Sequence, residues 1–567
     1  MRPRVSETPE TPEIPVRPDA ATRATGVLRN SAVMAVATVG SRLSGFVRSL
    51  VLVWALGTAI FADSFNLANT IPTSIYILVA GGALNSVFMP QLVRAMKRDE
   101  DGGEAFAQRL ITLVAIVLAT MSVVAVIAAP WLVRLWANPS MLDAQSRPYF
   151  DIAVMLARYC LPQIFFYGLY VILGQILNSR GRFGPMMWAP LLNNVVSIAV
   201  LLTYIGIGHH LTTQTVTGVD KAVLGIGSTL GIAAQALCLL PLLKKVGFRF
   251  RFRFDLRGQG LSTSSRLAMW TIGFVIVNQV WFVIASRITT GVSAQIRHEG
   301  RPGGFGLTPF LTAYTIFQLP HSVITVSLVT ALLPTLSRLA ADSDVAGIRE
   351  DLSNTLRTAT TLLAPAAAVF VVLGALFTQA IFSSGSVTPT AARYIGLILA
   401  AFGPGLIPFS SHYVSLRAYY AQEDTRTPLF VQLVVVGVSI TCALIANAVL
   451  PLEQRTIGVA AAYGVGYWVG FLINLTVLSR RLGGVDGRRI ASTYVRAGLA
   501  ASLAGLIGWL VAQALTAAFP AGRVGVLATA VIAASVLAMA YLALAKMARI
   551  RELDQMLGML TRRLRRS

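Results

Sequence analysis

The chain has 567 residues, of which 55% are hydrophobic and only 13% are charged. Soluble proteins carry about 25% charged residues, so the composition excludes an ordinary soluble domain and predicts an all-α polytopic membrane protein. The net charge of +23 comes from 47 lysines and arginines against 24 acidic residues. These basic residues cluster in short loops between apolar segments, so they do not indicate nucleic acid as a partner.

The predicted elements begin with residues 1–29, whose polar, proline-containing sequence is typical of a disordered cytosolic tail. Residues 547–567 form a basic tail at the other end. Between the tails lie fourteen apolar segments that are long enough to cross a membrane core of about 30 Å. Their approximate limits are 30–57, 64–92, 106–136, 148–178, 186–206, 222–244, 264–290, 306–335, 358–383, 390–413, 429–450, 457–479, 494–518 and 523–546.

The loop charges alternate along the chain. Loops after even-numbered segments are basic: the loop after the second segment contains Arg94, Lys97 and Arg98. Loops after odd-numbered segments are poor in charge, and residues 57–62 after the first segment contain no charged residue. Cytoplasmic loops are enriched in lysine and arginine, so we expect a multi-pass plasma membrane protein with both termini in the cytosol.

Residues 248–254 alternate phenylalanine and arginine within the basic linker that follows the sixth segment. A period of two is compatible with a short strand or with a segment that lies on the membrane surface. The basic residues of this linker also indicate contact with anionic membrane lipids.

Two sequence matches recur at nearly one offset. Pro334 follows Pro90 by 244 residues, and Arg426 follows Arg182 by the same 244. The offset spans six segments, so duplication predicts two six-helix lobes in the same orientation, and transporters built from repeats bind substrate between their halves. The predicted parts are an N-terminal lobe at 30–244, a linker at 245–263, a C-terminal lobe at 264–480 and two extra helices at 481–546.

The first apolar segment contains two arginines, Arg42 and Arg48, with Gly45 midway between them. A charge at membrane depth costs from about 3 to above 10 kcal/mol, so it normally faces a bundle interior or a wet cavity. At 100° per residue the two arginines lie about 120° apart. That arc favours a wide hydrated cavity that receives an anion, and the alternative is that one arginine snorkels to the headgroups.

Four further residues are candidates for this cavity. Asp63 is compatible with a network to Arg42 and Arg48, or with a cap on its own helix. Arg287 stands near the outer end of the seventh segment, where snorkelling is the alternative, and Tyr76 and Gln318 are expected to face the interior.

No catalytic set, metal-ligand spacing or phosphate-binding loop is evident, so the sequence predicts neither an enzyme nor a cofactor. Scarce acids and several arginines favour an anionic substrate. A pyrophosphate suits such a cavity, because guanidinium groups bind phosphate oxygens in pairs.

The chain resembles one known family in several stretches, which together extend over about residues 28–545. They are 41–48 (SRLSGFVR), 62–65 with Pro72, 81–90 (GGALNSVFMP), 176–183 (ILNSRGRF), 189–194 (APLLNN), 332–337 (LLPTLS) and 419–428 (YYAQEDTRTP). This combination is similar to the MurJ/MviN family, the lipid II flippases of the MOP exporter superfamily. The alanine-, valine- and arginine-rich composition is consistent with an actinobacterial member.

The resemblance implies fourteen helices around a V-shaped cavity, with the last two forming a groove for a polyprenyl tail. It implies lipid II as substrate, held at its pyrophosphate, with cell-wall synthesis or division proteins as candidate partners. Arg42, Arg48 and Asp63 match functional positions of the family motif. Tyr76 and Thr315 stand where proteobacterial members carry cavity arginines. We therefore expect either a pyrophosphate site with fewer arginines or a site in which Arg287 replaces a missing one.

Two alternatives remain open from the sequence. One is a flippase for another undecaprenyl-diphosphate-linked oligosaccharide, and the other is a membrane scaffold for cell-wall synthesis without transport. A scaffold should tolerate loss of Arg42 and Arg48, whereas a flippase should not.

Overall fold

The computed structural model describes residues 20–79, 103–207, 216–248, 250–253, 265–301, 303–519 and 522–553. For residues 20–36, 79 and 265–268 it describes the backbone alone. The predicted tail at 1–29 and the second half of the second segment therefore fall wholly or partly outside the described residues.

The described residues are helical throughout, apart from the turns that join the helices. The α-helices are α1 (Ala20–Leu56), α2 (Ile60–Val79), α3 (Glu104–Ile127), α4 (Ala129–Trp136), α5 (Arg147–Cys160), α6 (Gln163–Ser179), α7 (Gly184–Gly206), α8 (Gly218–Leu237), α9 (Leu240–Lys245), α10 (Ser265–His298), α11 (Leu307–Pro320), α12 (Val326–Ala341), α13 (Val345–Phe382), α14 (Pro389–Phe402), α15 (Leu406–Ala421), α16 (Arg426–Val449), α17 (Arg455–Arg481), α18 (Gly487–Ala518) and α19 (Arg523–Met547).

The all-α polytopic architecture is confirmed, and thirteen helical stretches of the described residues are long and apolar enough to cross a membrane. Thirteen of the fourteen predicted segments coincide with these stretches. The remaining one, 64–92, corresponds to α2 and to residues that the structure does not describe, so the count of fourteen stays a prediction.

Several predicted spans are interrupted helices rather than single rods. Leu161 and Pro162 separate α5 from α6, and a 3-10 turn at Gly403–Gly405 separates α14 from α15. A π-helical turn, His321–Thr325, follows Pro320 and joins α11 to α12. Proline removes a backbone donor and clashes with the preceding turn, so these breaks lie where the sequence places proline and glycine.

The helices form two groups with the same internal pairing. In the first group, α1–α9, α1 packs on α7, α2 on α5, and α3 on α6. In the second group, α10–α17, the corresponding helices pair in the same way: α10 packs on α16, α11 on α14, and α13 on α15. This one-to-one correspondence is the arrangement expected of a duplication, and it places a seam between the two groups.

The last two helices, α18 and α19, pack on each other and on α13 of the second group. Small residues at their contact, among them Ala504 and Gly508, let Leu537 approach closely. A cavity of about 420 Å³ lies between these helices and α13, where Trp509 and Arg393 line it.

The described residues of the 248–254 stretch form no strand, so that alternative is wrong for them. Phe248 is buried under the Arg180 guanidinium, whereas Phe252 is 66% exposed. An exposed aromatic beside arginines fits a segment on the membrane surface.

Candidate functional site

The seam between the two helix groups contains a polar cavity of about 520 Å³, here called the wide cavity. Helix α1 supplies Arg42, Gly45 and Arg48 to its wall, and α11 supplies Thr315 and Gln318 from the other group. The two predicted arginines therefore border one space, with a small residue between them.

A second cavity of about 240 Å³, here called the deep cavity, continues from the wide one. Both are lined by Arg48, Tyr167 and Thr315, so the two spaces adjoin. Many of the residues that line the deep cavity carry amides or hydroxyls, among them Asn66, Asn69, Thr70, Thr73, Gln163, Asn193, Ser197, Ser228 and Thr312. Such a lining suits water and the polar part of a substrate.

Helix α1 is fixed on α7 in the orientation that points its arginines to the cavity. The Asn194 amide donates to the carbonyl of Ser41 at 3.1 Å and to the Ser44 hydroxyl at 2.8 Å. Gly45 lies directly against this amide. The structure gives neither Arg42 nor Arg48 an acidic partner among the described residues, so both charges are available to an anion.

Asp63 caps a helix of the other group. Its carboxylate is fully buried and accepts hydrogen bonds from the backbone N–H of Leu307 at 3.0 Å and of Thr308 at 2.6 Å. The Ser293 hydroxyl also donates to it. Both sequence interpretations are wrong, because Asp63 neither joins Arg42 and Arg48 nor caps α2. It neutralises the N-terminal backbone donors and the dipole of α11.

Other contacts close the same end of the bundle, here called the sealed end. The Asn66 amide donates to the Thr308 hydroxyl at 2.9 Å. The backbone N–H of Asn138 donates to Thr290, and that of Ser386 donates to the carbonyl of Trp54 at 3.0 Å. The two groups are thus joined at the sealed end by bonds that involve few charged side chains.

Gly306 is required by this closure. A β-carbon at this position would overlap both the Ser293 hydroxyl and the Asp63 carboxylate. The absence of a side chain lets the carboxylate reach the first turn of α11.

The remaining candidates separate into two sets. Gln318 lines the wide cavity, and Tyr76 stacks on Tyr167 with ring centroids 4.7 Å apart. Arg287 instead donates from Nη1 to the carbonyl of Leu135 at 3.1 Å, near the sealed end. This contact occupies its guanidinium away from Arg42 and Arg48, so the geometry does not support the substitute role expected for Arg287.

Sequence reasoning missed two contributors to the site. Tyr167 borders both cavities beside Arg48, and the pair Asn193 and Asn194 supplies amides from α7. Two consecutive asparagines in an apolar segment were a usable signal, because buried amides need partners. Tyr167 gave no such signal in the sequence, because a tyrosine in an apolar segment is common.

Comparison with known proteins gives one family. The family model described as "Lipid II flippase MurJ" matches residues 52–528. A "Probable lipid II flippase MurJ" of Rhizobium meliloti (strain 1021) is 27% identical over 508 residues, which are 87% of this chain and 88% of the relative. A "Lipid II flippase MurJ" of Burkholderia cenocepacia is 27% identical over 78% of this chain and 82% of its own length.

Two solved structures show the fold. One described as lipid II flippase MurJ in an inward closed conformation aligns with a TM-score of 0.69 at 18% identity, over 91% of this chain and 98% of that one. A MATE transporter in complex with MaD3S aligns with a TM-score of 0.56 at 16% identity, over 81% of this chain and 96% of the transporter. The helical arrangement is thus the one shared by these transporters.

Proposed function

The chain belongs to the lipid II flippase MurJ family, and on that premise we propose that it moves lipid II from the inner to the outer leaflet of the bacterial plasma membrane. The observation that carries the proposal is the pair Arg42 and Arg48, which line one cavity between two helix groups. Alternating access requires such a site at the seam of a duplicated fold.

Arg42 and Arg48 bind the pyrophosphate of the substrate. Charge-assisted hydrogen bonds from guanidinium groups to phosphate oxygens are roughly twice as strong as neutral ones. The amides and hydroxyls of the deep cavity, with Gln318 in the wide one, then receive the sugar and peptide of the headgroup.

The basic loops orient the protein with both termini in the cytosol. The sealed end then faces the outside, and the opposite end, here called the inner mouth, faces the cytosol. Phe250 and Phe252 lie exposed on the cytosolic side beside Arg251, where they contact anionic lipids of the inner leaflet.

Release to the outside requires the sealed end to open. Opening breaks the three hydrogen bonds that Asp63 accepts from Ser293, Leu307 and Thr308. A helix cap of this kind contributes about 1–2 kcal/mol, so the Asp63 bonds favour the closed state of an empty carrier. Substrate binding must favour the outward state by a comparable amount.

Native mass spectrometry of the purified protein tests the substrate. We expect lipid II to bind at least tenfold more tightly than an undecaprenyl diphosphate that carries an unrelated oligosaccharide. Equal binding of both lipids would favour the broader flippase for undecaprenyl-diphosphate-linked oligosaccharides. Binding of neither would favour a scaffold and contradict the proposal.

A further inference from the structure

A third arginine stands near the cavity on the second helix group. Arg417 lies on α15, and its guanidinium carbon sits 4.3 Å from the Tyr413 ring centroid and 5.7 Å from that of Tyr420. Its Nε is buried without a hydrogen-bond partner. Stacking on two tyrosines holds the group in place without neutralising its charge.

Asp424, a nearby acidic residue of the same helix end, is occupied by other partners. Asp424 accepts hydrogen bonds from Arg481 at 2.5 Å and from the Thr427 hydroxyl at 2.6 Å. No ion pair to Arg417 is present among the described residues. Like Arg42 and Arg48, it is therefore a guanidinium with unused capacity for an anion.

His321, in the π-helical turn, connects the Arg417 stack to the wide cavity that Arg42 lines. Its Nδ1 is 2.9 Å from the Ser410 hydroxyl, and its ring contacts the Tyr413 ring at 5.0 Å. Its neighbours Gln318 and Ser322 line the wide cavity with Arg42.

The face of α15 that carries these contacts is continuous. Ser410, Tyr413 and Arg417 follow one another at helical spacing, so they form one stripe toward the π-helical turn. The stripe leads from the wide cavity toward the inner mouth, and Arg417 is its member nearest the cytosol.

We propose that Arg417 is a further anion-binding residue, which contacts the substrate's diphosphate together with Arg42 and so joins the two helix groups across the inner mouth. This inference rests on the proposed function. An anion that contacts residues of both groups binds the closed mouth more tightly than the open one, and so shifts the population toward closure.

The test uses the full-length protein in nanodiscs, with farnesyl diphosphate as the probe. We expect Arg417→Gln to weaken binding of farnesyl diphosphate about tenfold. The control Arg426→Gln removes a charge at the start of α16, where Arg426 stacks on Trp270 and Phe430, and should change affinity less than twofold. Arg417→Met keeps the apolar stem and replaces the glutamine variant if that variant does not fold.

A second readout separates binding from packing. Spin labels at residues 182 and 342, on the cytosolic loops of the two groups, measure the width of the inner mouth. Farnesyl diphosphate should narrow it in the wild type and in Arg417→Lys, but not in Arg417→Gln. Wild-type affinity and narrowing in Arg417→Gln would overturn the inference, as would an Arg417→Lys variant that behaves like Arg417→Gln.

The same experiment separates the two proposals. Absence of farnesyl diphosphate binding in the wild type would overturn both the diphosphate site and the role of Arg417. Binding that depends on Arg42 and Arg48 but not on Arg417 would overturn the role of Arg417 alone.

Discussion

The Asp63 carboxylate lies 2.6 Å from the backbone nitrogen of Thr308, although the two residues belong to different helix groups and are 245 positions apart. One carboxylate thereby caps a helix of the opposite group. The donors are backbone groups of α11 and not a basic side chain. The bonds at the sealed end therefore depend on the position of α11 relative to Asp63.

Asp63→Ala should open the sealed end. Loss of a cap costs about 1–2 kcal/mol, which corresponds to a shift of about 5–30-fold in the equilibrium. Thr70 lines the deep cavity, and a cysteine there is reached from outside only when the sealed end opens. We expect an impermeant maleimide added to intact cells to label Thr70→Cys about 5–30-fold faster in the Asp63→Ala background.

Ser64→Ala is the matched control for this variant. The Ser64 hydroxyl donates to the carbonyls of Ile60 and Tyr149, both within the first group. Labelling should stay at the wild-type rate in Ser64→Ala. An unchanged rate in Asp63→Ala would show that the cap does not control opening.

Gly306→Ala should reproduce the effect of Asp63→Ala while the carboxylate remains. The added methyl group would overlap the Ser293 hydroxyl and the Asp63 carboxylate, so the cap cannot form in its present geometry. Gly218→Ala, where a β-carbon meets nothing within 4 Å, is the control. Slow labelling in both alanine variants would mean that the seal tolerates displacement of Asp63.

Arg287→Ala should leave the affinity for farnesyl diphosphate within twofold of the wild type. The Arg287 guanidinium donates to the carbonyl of Leu135 rather than to the cavity. Its loss should therefore lower the melting temperature slightly. A tenfold weaker affinity would show that Arg287 does replace a cavity arginine.

The environment of Asp424, in the turn between α15 and α16, predicts that the stability of the protein depends on pH. Partial burial acts to raise the pKa of Asp424, but the Thr427 hydrogen bonds and the Arg481 guanidinium outweigh it and hold the pKa below its ordinary value. A depressed pKa stabilises the fold above the ordinary value of about 4, and this contribution is lost as the pH falls through the folded-state pKa.

Melting temperatures of Asp424→Asn and wild type should therefore differ at pH 7 and converge at acidic pH. Asp486→Asn is the control, because Asp486 is 3.9 Å from Arg489 and makes only a weak pair. A difference for Asp424→Asn that does not change with pH would exclude ionisation as its cause.

Local patterns in the sequence predicted the helices, the cavity arginines and the duplication. Arg42 and Arg48 were visible because charge in an apolar segment is costly, and the same pairing of helices in both groups agrees with the repeat of Arg182 at Arg426. The interruptions near Pro162 and Pro320 were not predicted, since tertiary packing decides whether a proline kinks a helix or ends it.

Contacts between the two groups were not predictable from one sequence. The partners of Asp63 are 230–245 residues away and are mainly backbone groups, which leave no side-chain signature. Arg417 follows the predicted limit of the tenth apolar segment at residue 413, so the alternation of loop charges gives no reason to expect a site there, whereas the structure places it within α15.

The most direct test of the central claim measures which leaflet holds lipid II in cells depleted of this protein and supplied with variants. Wild type and the loop control Arg182→Ala should restore lipid II to the outer leaflet, where an externally added cleaving enzyme reaches it. The double variant Arg42→Ala/Arg48→Ala should leave lipid II in the inner leaflet, protected from that enzyme. Restoration by the double variant to the wild-type level would contradict the account.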